Sequence, residues 1–110
     1  MIIYRAISGA EKDNLELLQE FRLKIGAYEA KLFAESLEDA SVFGKNFYRF
    51  DNEPFFVVAV LIEDDFSKQF AIESPDIELG VGATIVVDRD QLDIFNQNMV
   101  FEIINNVACG

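Results

Sequence analysis

The residues of this chain that could do chemistry are mainly oxygen donors, because the sequence has no histidine and one cysteine, Cys109. Without histidine, neither a Ser-His-Asp nor a Cys-His arrangement can form, and the commonest metal ligand is missing. A Glu-Asp-Asp run at 63–65 offers oxygen ligands, but adjacent acids lack the alternate spacing of a calcium loop. The Gly-Val-Gly sequence at 80–82 lacks the spacing of a phosphate-binding loop. The motifs therefore predict no metal site and no common nucleotide loop.

Charge is distributed unevenly along the chain. Residues 1–50 carry a net charge of −1 and residues 51–110 carry −10, which gives −11 for the whole chain. A strongly acidic surface repels phosphates, which argues against nucleic acid as a partner. The same surface can steer a basic protein partner, or it can serve only to keep a phenylalanine-rich domain in solution.

The size and composition predict a single domain over residues 1–110. The 110 residues are 51% hydrophobic and include eleven phenylalanines, which is enough apolar material for one buried core. The longest apolar run, residues 55–62, is too short to span a membrane. A signal peptide is not expected at the start, and one cysteine excludes an internal disulfide framework. We therefore expect a cytoplasmic protein that does not bind membranes.

Three helix starts are predicted by the same capping chemistry. At each start a polar capping residue is followed three positions later by an acidic residue or glutamine; the pairs are Ser8 and Glu11, Ser36 and Asp39, and Asp88 and Gln91. Hydrophobic spacing then predicts helices at about 9–25 and 37–43, which end at Gly26 and Gly44. The third helix is shorter and carries Leu92 and Phe95.

The segments between these helices predict strands. They cover residues 1–7, 31–35, 55–62, 66–73, 83–87 and 99–107. The continuously apolar segment 55–62 is typical of a central strand covered on both faces. The expected fold is α+β, a small domain with a central sheet, two main helices near the N-terminal half and strands mostly later. Its expected core contains Ile3, Leu18, Phe21, Phe33, Phe43, Val58, Val60, Ile85, Val87, Phe95 and Ile103.

Two short segments resemble the ADP-ribosyltransferase-like superfamily. They are the sequence YRAIS at residues 4–8, and the sequence KLFAESLEDASVFG at residues 31–44. The likeness covers residues 3–9 and 31–44 and extends loosely over 82–96. It implies an ADP-ribosyltransferase-like fold with NAD as the cofactor, in an active or a degenerate form.

The resemblance also implies roles for individual residues. Arg5 matches the NAD-contacting position of the first strand, and Phe43 matches the aromatic residue that stacks on nicotinamide. Ser36 is a further cofactor-binding candidate, although helix capping also explains it. Glu102 on the last strand is the catalytic candidate, which would stabilise the positive charge of the transition state. The chain departs from the superfamily pattern at Leu32, where many members have a second stacking tyrosine, and at Ala40, where a serine is usual.

Each of these residues also has a purely structural interpretation. Arg5 can form a surface ion pair, Phe43 can belong to the core, and Glu102 can face solvent. A second hypothesis therefore stands beside the first. The chain is then an acidic, non-enzymatic binding or inhibitor protein, such as a phage or bacterial inhibitor, that docks its 51–110 half on a basic partner.

Overall fold

A six-stranded antiparallel sheet organises the protein in this computed structural model, which describes residues 1–22, 30–48, 54–73 and 82–104. Its strands are β1 (Ile2–Ser8), β2 (Lys31–Ala34), β3 (Phe55–Leu61), β4 (Ala71–Glu73), β5 (Thr84–Val87) and β6 (Val100–Ile104). Their order across the sheet is β4-β5-β2-β1-β3-β6. Strands β1 and β3 pair along seven residues and form the centre of one half, with β6 outside β3.

Among the described residues, four helices accompany the sheet: α1 (Gly9–Leu18), α2 (Leu37–Tyr48), α3 (Asp64–Ser67) and α4 (Arg89–Gln97). Because side chains alternate along a strand, each strand contributes to both faces of the sheet. On β1, Ile3 and Ile7 belong to a large core with residues of α1 and α4, whereas Ala6 belongs to a small core beneath α2. The sheet therefore has helices on both faces.

The large core is built around phenylalanine rings. Phe33 of β2 lies 5.3 Å from Phe21 and 5.1 Å from Phe95 of α4, measured between ring centroids. Phe70 extends the group by an edge-to-face contact with Phe95 at 5.7 Å. Such contacts add about 0.5–1.5 kcal/mol per pair beyond simple burial. They explain how a domain without tryptophan fills its interior.

Helix α1 ends earlier than predicted. Gln19 adopts a left-handed conformation, with φ of 60°, and its N–H donates to the carbonyl of Leu15. The predicted helix to residue 25 is therefore wrong in length, and the predicted end at Gly26 lies outside the described residues. Leu18 is 38% exposed and does not belong to the core. Phe21 is buried as predicted, but from the segment that follows the helix.

The predicted stop at Gly44 is also wrong, because α2 continues to Tyr48. Gly44 is buried, and a Cβ atom there would collide with the ring of Phe55 on β3. Glycine is required at this position for the close approach of the helix to the sheet, not for a turn. Glycine is common just after the end of a helix, which is why the sequence predicted an end at Gly44. Its role in the structure is close packing.

Residues 66–73 do not form the single strand that was predicted. Asp64 and Asp65 begin the short helix α3, in which Ser67 N–H donates to the Glu63 carbonyl at 3.0 Å. Acidic residues in a first helical turn favour helix formation through the positive end of the backbone dipole. Only Ala71–Glu73 form a strand, at the outer edge of the sheet.

The α+β class is confirmed, with helices distributed along the chain after β1, β2, β3 and β5. Segment 55–62 forms an interior strand as predicted, and Val57 and Val58, on opposite faces, are both fully buried. Phe43 and Ile103 are half-buried and pack against the two cores instead of lying inside them. The predicted last strand is present at 100–104, and its continuation to residue 107 lies outside the described residues.

Candidate functional site

Arg5 is held by a two-pronged ion pair with Glu11. Its Nε and Nη2 atoms donate to the two carboxylate oxygens of Glu11 at 2.8 and 3.1 Å, and its Nη1 donates to the Leu32 carbonyl at 3.1 Å. Strand β1 directs Arg5 to the α1 face, and the Ser8 cap places Glu11 in the first turn of that helix. The guanidinium group is thus engaged with protein atoms in the described structure.

Lys31 completes this charged cluster. Its ammonium group lies 3.3 Å from Glu11 Oε1, and Lys31 is only 8% exposed. Burial raises the pKa of the Glu11 carboxyl, whereas hydrogen bonds and charge from Arg5 and Lys31 lower it. The lowering effects are together the larger, so the pKa of Glu11 lies below its ordinary value. In a capping box formed by Ser8 and Glu11, the Glu11 side chain would in turn accept the backbone N–H of Ser8. Only the Ser8 half of that capping box forms, because the Glu11 carboxylate binds the two cations instead.

Arg5 and Phe43 border one small cavity between β1, β2 and α2. Alternation places the Arg5 side chain on the α1 face, while Phe43 packs against the small core on the opposite face. The cavity has a volume of about 20 Å³, and a single water needs about 10–15 Å³ on the same measure. A nicotinamide ring is several times larger than water. The described part of this cavity is therefore smaller than a nicotinamide ring in this conformation.

Ser36 acts as the N-cap of α2. Its hydroxyl oxygen accepts the N–H of Asp39 at 3.1 Å, and its carbonyl accepts the N–H of Ala40 at 3.1 Å. This is the helix-capping role that the sequence offered as the alternative to cofactor binding. Ser36 is not among the residues that border the cavity.

Glu102 lies away from that cavity. It is exposed on β6 opposite Ala59 of β3, and it borders a different, open depression of about 450 Å³. The register places Tyr4, Ala59 and Glu102 in one row across three strands, on the sheet face that α2 partly covers. The structure thus brings Arg5 and Phe43 to one cavity and Glu102 to a separate surface.

The depression beside Glu102 has an apolar floor. Ile2, Leu61 and Val100 are directly opposite one another on β1, β3 and β6. Their exposed fractions are 50%, 52% and 68%. The acidic residues 63–65 follow β3 at the same end of the sheet and are all exposed. We call the row formed by Ile2, Leu61 and Val100 the open apolar row.

Sequence reasoning did not find the open apolar row. Each member belongs to an apolar strand, and nothing local distinguishes these side chains from buried ones. They become neighbours only through the register of the three strands. Helix α2 covers the same face of the sheet near Ala6 and Val57, away from this row.

The described residues contain neither a membrane-spanning helix nor a cluster of metal ligands. No described helix is long and apolar enough to cross a membrane. Within the described ranges, no three metal-binding side chains lie close enough together to hold an ion. Comparison with protein-family models, with curated proteins and with solved structures found no match to this chain.

Proposed function

We propose that the protein is an acidic, non-catalytic binding protein that docks on a basic protein partner. The observation that carries this proposal is the open apolar row beside Glu102. Three large apolar side chains, each at least half exposed, lie side by side there on adjacent strands. Contiguous apolar surface with a polar rim is typical of interaction sites.

The charge of the surroundings supports a basic partner. Glu102 adjoins the row on β6, residues 63–65 are acidic, and residues 51–110 together carry a net charge of −10. Complementary charge accelerates encounter and disfavours wrong partners more than it adds affinity. The apolar row then supplies the burial that holds the complex together.

The shape of the surface supports a macromolecular ligand. The depression is open and lies across strands β1, β3 and β6. Small molecules usually bind in concave sites that bury most of their surface. The smaller cavity beside Phe43, by contrast, has room for about one water among the described residues. An extended protein surface fits the open depression better than a metabolite does.

Selection from a random peptide library on the immobilised full chain tests this proposal. We expect the selected peptides to carry net positive charge and to bind as synthetic peptides in solution. Their association rate should fall as salt rises from about 0.05 M to about 0.3 M, because ions screen the steering field. Selected peptides with neutral or acidic composition, or binding that ignores salt, would contradict the proposal.

A second candidate function is that of a small ADP-ribosyltransferase-like domain, active or degenerate, with NAD as its cofactor. The observation that favours it is that Arg5 and Phe43 border the same cavity, as the resemblance requires. It also requires that the cavity widen and that Arg5 leave Glu11 to contact the cofactor. Glu102, which borders a different depression on β6, would also have to reach the cofactor bound in this cavity.

Calorimetric titration with NAD tests this second candidate. Binding that Arg5→Ala abolishes, with the circular dichroism spectrum unchanged, would support it. Hydrolysis of NAD by the purified protein, measured beside Glu102→Gln, tests the catalytic role. Absence of NAD binding at millimolar concentration would reject the candidate, and equal, negligible hydrolysis in both proteins would reject its active form.

A further inference from the structure

We propose that the basic partner binds as an extended segment that adds a strand to β6. In this arrangement an apolar residue of the partner lies beside Val100, and a lysine or arginine two positions away lies beside Glu102. The inference rests on the proposed binding function and specifies its surface and the chemistry of its partner. Strand addition of this kind combines main-chain hydrogen bonds with side-chain selection at alternate positions.

The position of β6 in the sheet makes such pairing available. β6 is the last strand in the order and pairs with β3 on its inner side. Among the described residues, no strand pairs with its outer side. The outer side of a strand presents N–H and C=O groups that can template another strand. Five residues, Val100–Ile104, form this edge, which is close to the usual strand length.

The side chains on the α2 face of β6 specify what the added strand must carry. Val100 and Glu102 are two positions apart, so both lie on this face, and both are exposed. A partner residue beside Val100 would extend the open apolar row to a fourth strand and shield it from water. A partner residue beside Glu102 must be basic, because opposite charges across paired strands stabilise and like charges destabilise.

A second copy of this chain is a poor occupant of the same edge. Glu102 is the central residue of β6. Pairing of β6 with the β6 of another copy along all five residues would therefore place Glu102 opposite Glu102. The net charge of −11 on each copy adds to this repulsion. Charge thus selects a basic segment over self-association.

Synthetic peptides of defined pattern test the inference. The probe is a fluorescent peptide in which valine and lysine alternate at every second position, with threonine between them, so that both side chains lie on one face of the extended chain. Its controls are a peptide of the same composition in blocks and an alternating peptide with glutamate in place of lysine. We expect the alternating lysine peptide to bind the full chain more tightly than either control, measured by fluorescence anisotropy. Equal binding of the alternating and block lysine peptides would overturn strand addition.

Charge reversal locates the site. We expect Glu102→Lys to weaken binding by about tenfold, the equivalent of roughly 1.4 kcal/mol. The matched variant Asp93→Lys makes the same charge change at an exposed position on α4, and it should weaken binding by less than about twofold. Equal effects of the two variants would overturn the β6 site while leaving the binding function intact. If no basic peptide binds, in this assay or in the library selection, both proposals fail.

Backbone methylation tests the hydrogen bonding directly. Two versions of the alternating peptide carry N-methyl groups on opposite edges of the extended chain. Methylation of the edge that faces β6 should abolish binding, whereas methylation of the other edge should leave it nearly unchanged. Equal binding of the two methylated peptides would mean that side chains alone dock, which would overturn the added strand.

Discussion

The side chain of Asn96 on α4 binds both polar backbone atoms of Phe21. Its Oδ1 accepts the Phe21 N–H at 2.8 Å, and its Nδ2 donates to the Phe21 carbonyl at 2.9 Å. This two-way contact fixes the segment after α1 against α4. It also holds the Phe21 ring in edge-to-face contact with Phe33. A side-chain amide here replaces the backbone pairing that regular structure would supply.

Substitution of Asn96 by alanine should therefore destabilise the fold by about 2–3 kcal/mol, because two partly buried hydrogen bonds are lost and their backbone partners are left unpaired. The measurement is urea unfolding followed by circular dichroism. Asn98→Ala is the matched control, since Asn98 is exposed and its Nδ2 donates locally to the Ile94 carbonyl. The control should change stability by less than about 1 kcal/mol. Equal effects of the two substitutions would contradict this account of the Asn96 contact.

Replacement of Gly44 by alanine should destabilise the protein by about 1–3 kcal/mol, although alanine is the better helix former. The reason is the collision of the new methyl group with the Phe55 ring. Gly9→Ala is the control, because no atom lies within 4 Å of the Cβ position there. Thermal unfolding of both variants is the measurement.

A double-mutant cycle with Phe55→Leu makes the Gly44 prediction specific. The smaller side chain should relieve part of the collision, so Gly44→Ala should cost less in the Phe55→Leu background than in the natural protein. Additive effects would show that Gly44 is needed for another reason.

The Arg5–Glu11–Lys31 cluster predicts a dependence of stability on pH. The pKa of Glu11 is lower in the folded protein than its ordinary value of 4.5. Its contribution to the free energy of unfolding is thus fully present above that value and is lost as the pH falls through the lowered pKa. Glu11→Gln should lower stability at pH 7 by about 1.5–3 kcal/mol. It should also flatten the loss of stability between about pH 5 and about pH 3.

Glu16 provides the control for this prediction. It pairs with Lys12 on the exposed side of α1, and such pairs contribute at most about 1 kcal/mol. Urea unfolding of Glu16→Gln across the same pH range should follow the natural protein. If Glu11→Gln keeps the acid-induced loss of the natural protein, another carboxylate is responsible.

The sequence predicted elements better than it predicted their ends and their neighbours. Capping residues marked the starts of α1, α2 and α4 correctly, because the signal is chemical and local. The end of α1 at Gln19 was missed, since a left-handed glutamine depends on tertiary packing and has no local signature. Gly44 was misread for the same reason, because its close approach to Phe55 is a contact between distant segments.

For the candidate site as well, the sequence identified individual residues but not the contacts between distant segments. Arg5 and Phe43 were named from the sequence, and the partner of Arg5 was not, because Glu11 already had a local explanation in its capping box. The open apolar row could not be found, since Ile2, Leu61 and Val100 are brought together only by strand register. Long-range register depends on the whole sheet, so local patterns do not determine it.

If the open apolar row is exposed, replacing valine by threonine should affect the free energy of unfolding much less at Val100 than at a buried valine. Val100→Thr should change the free energy of unfolding by less than about 0.5 kcal/mol, because Val100 is 68% exposed and its new hydroxyl can reach water. Val58→Thr should cost about 1–3 kcal/mol, because Val58 is fully buried and the hydroxyl would lose its hydration there. Urea unfolding of both variants measures the difference. A large loss of stability in Val100→Thr would mean that the row is covered within the folded chain, and the proposed docking surface would then be rejected.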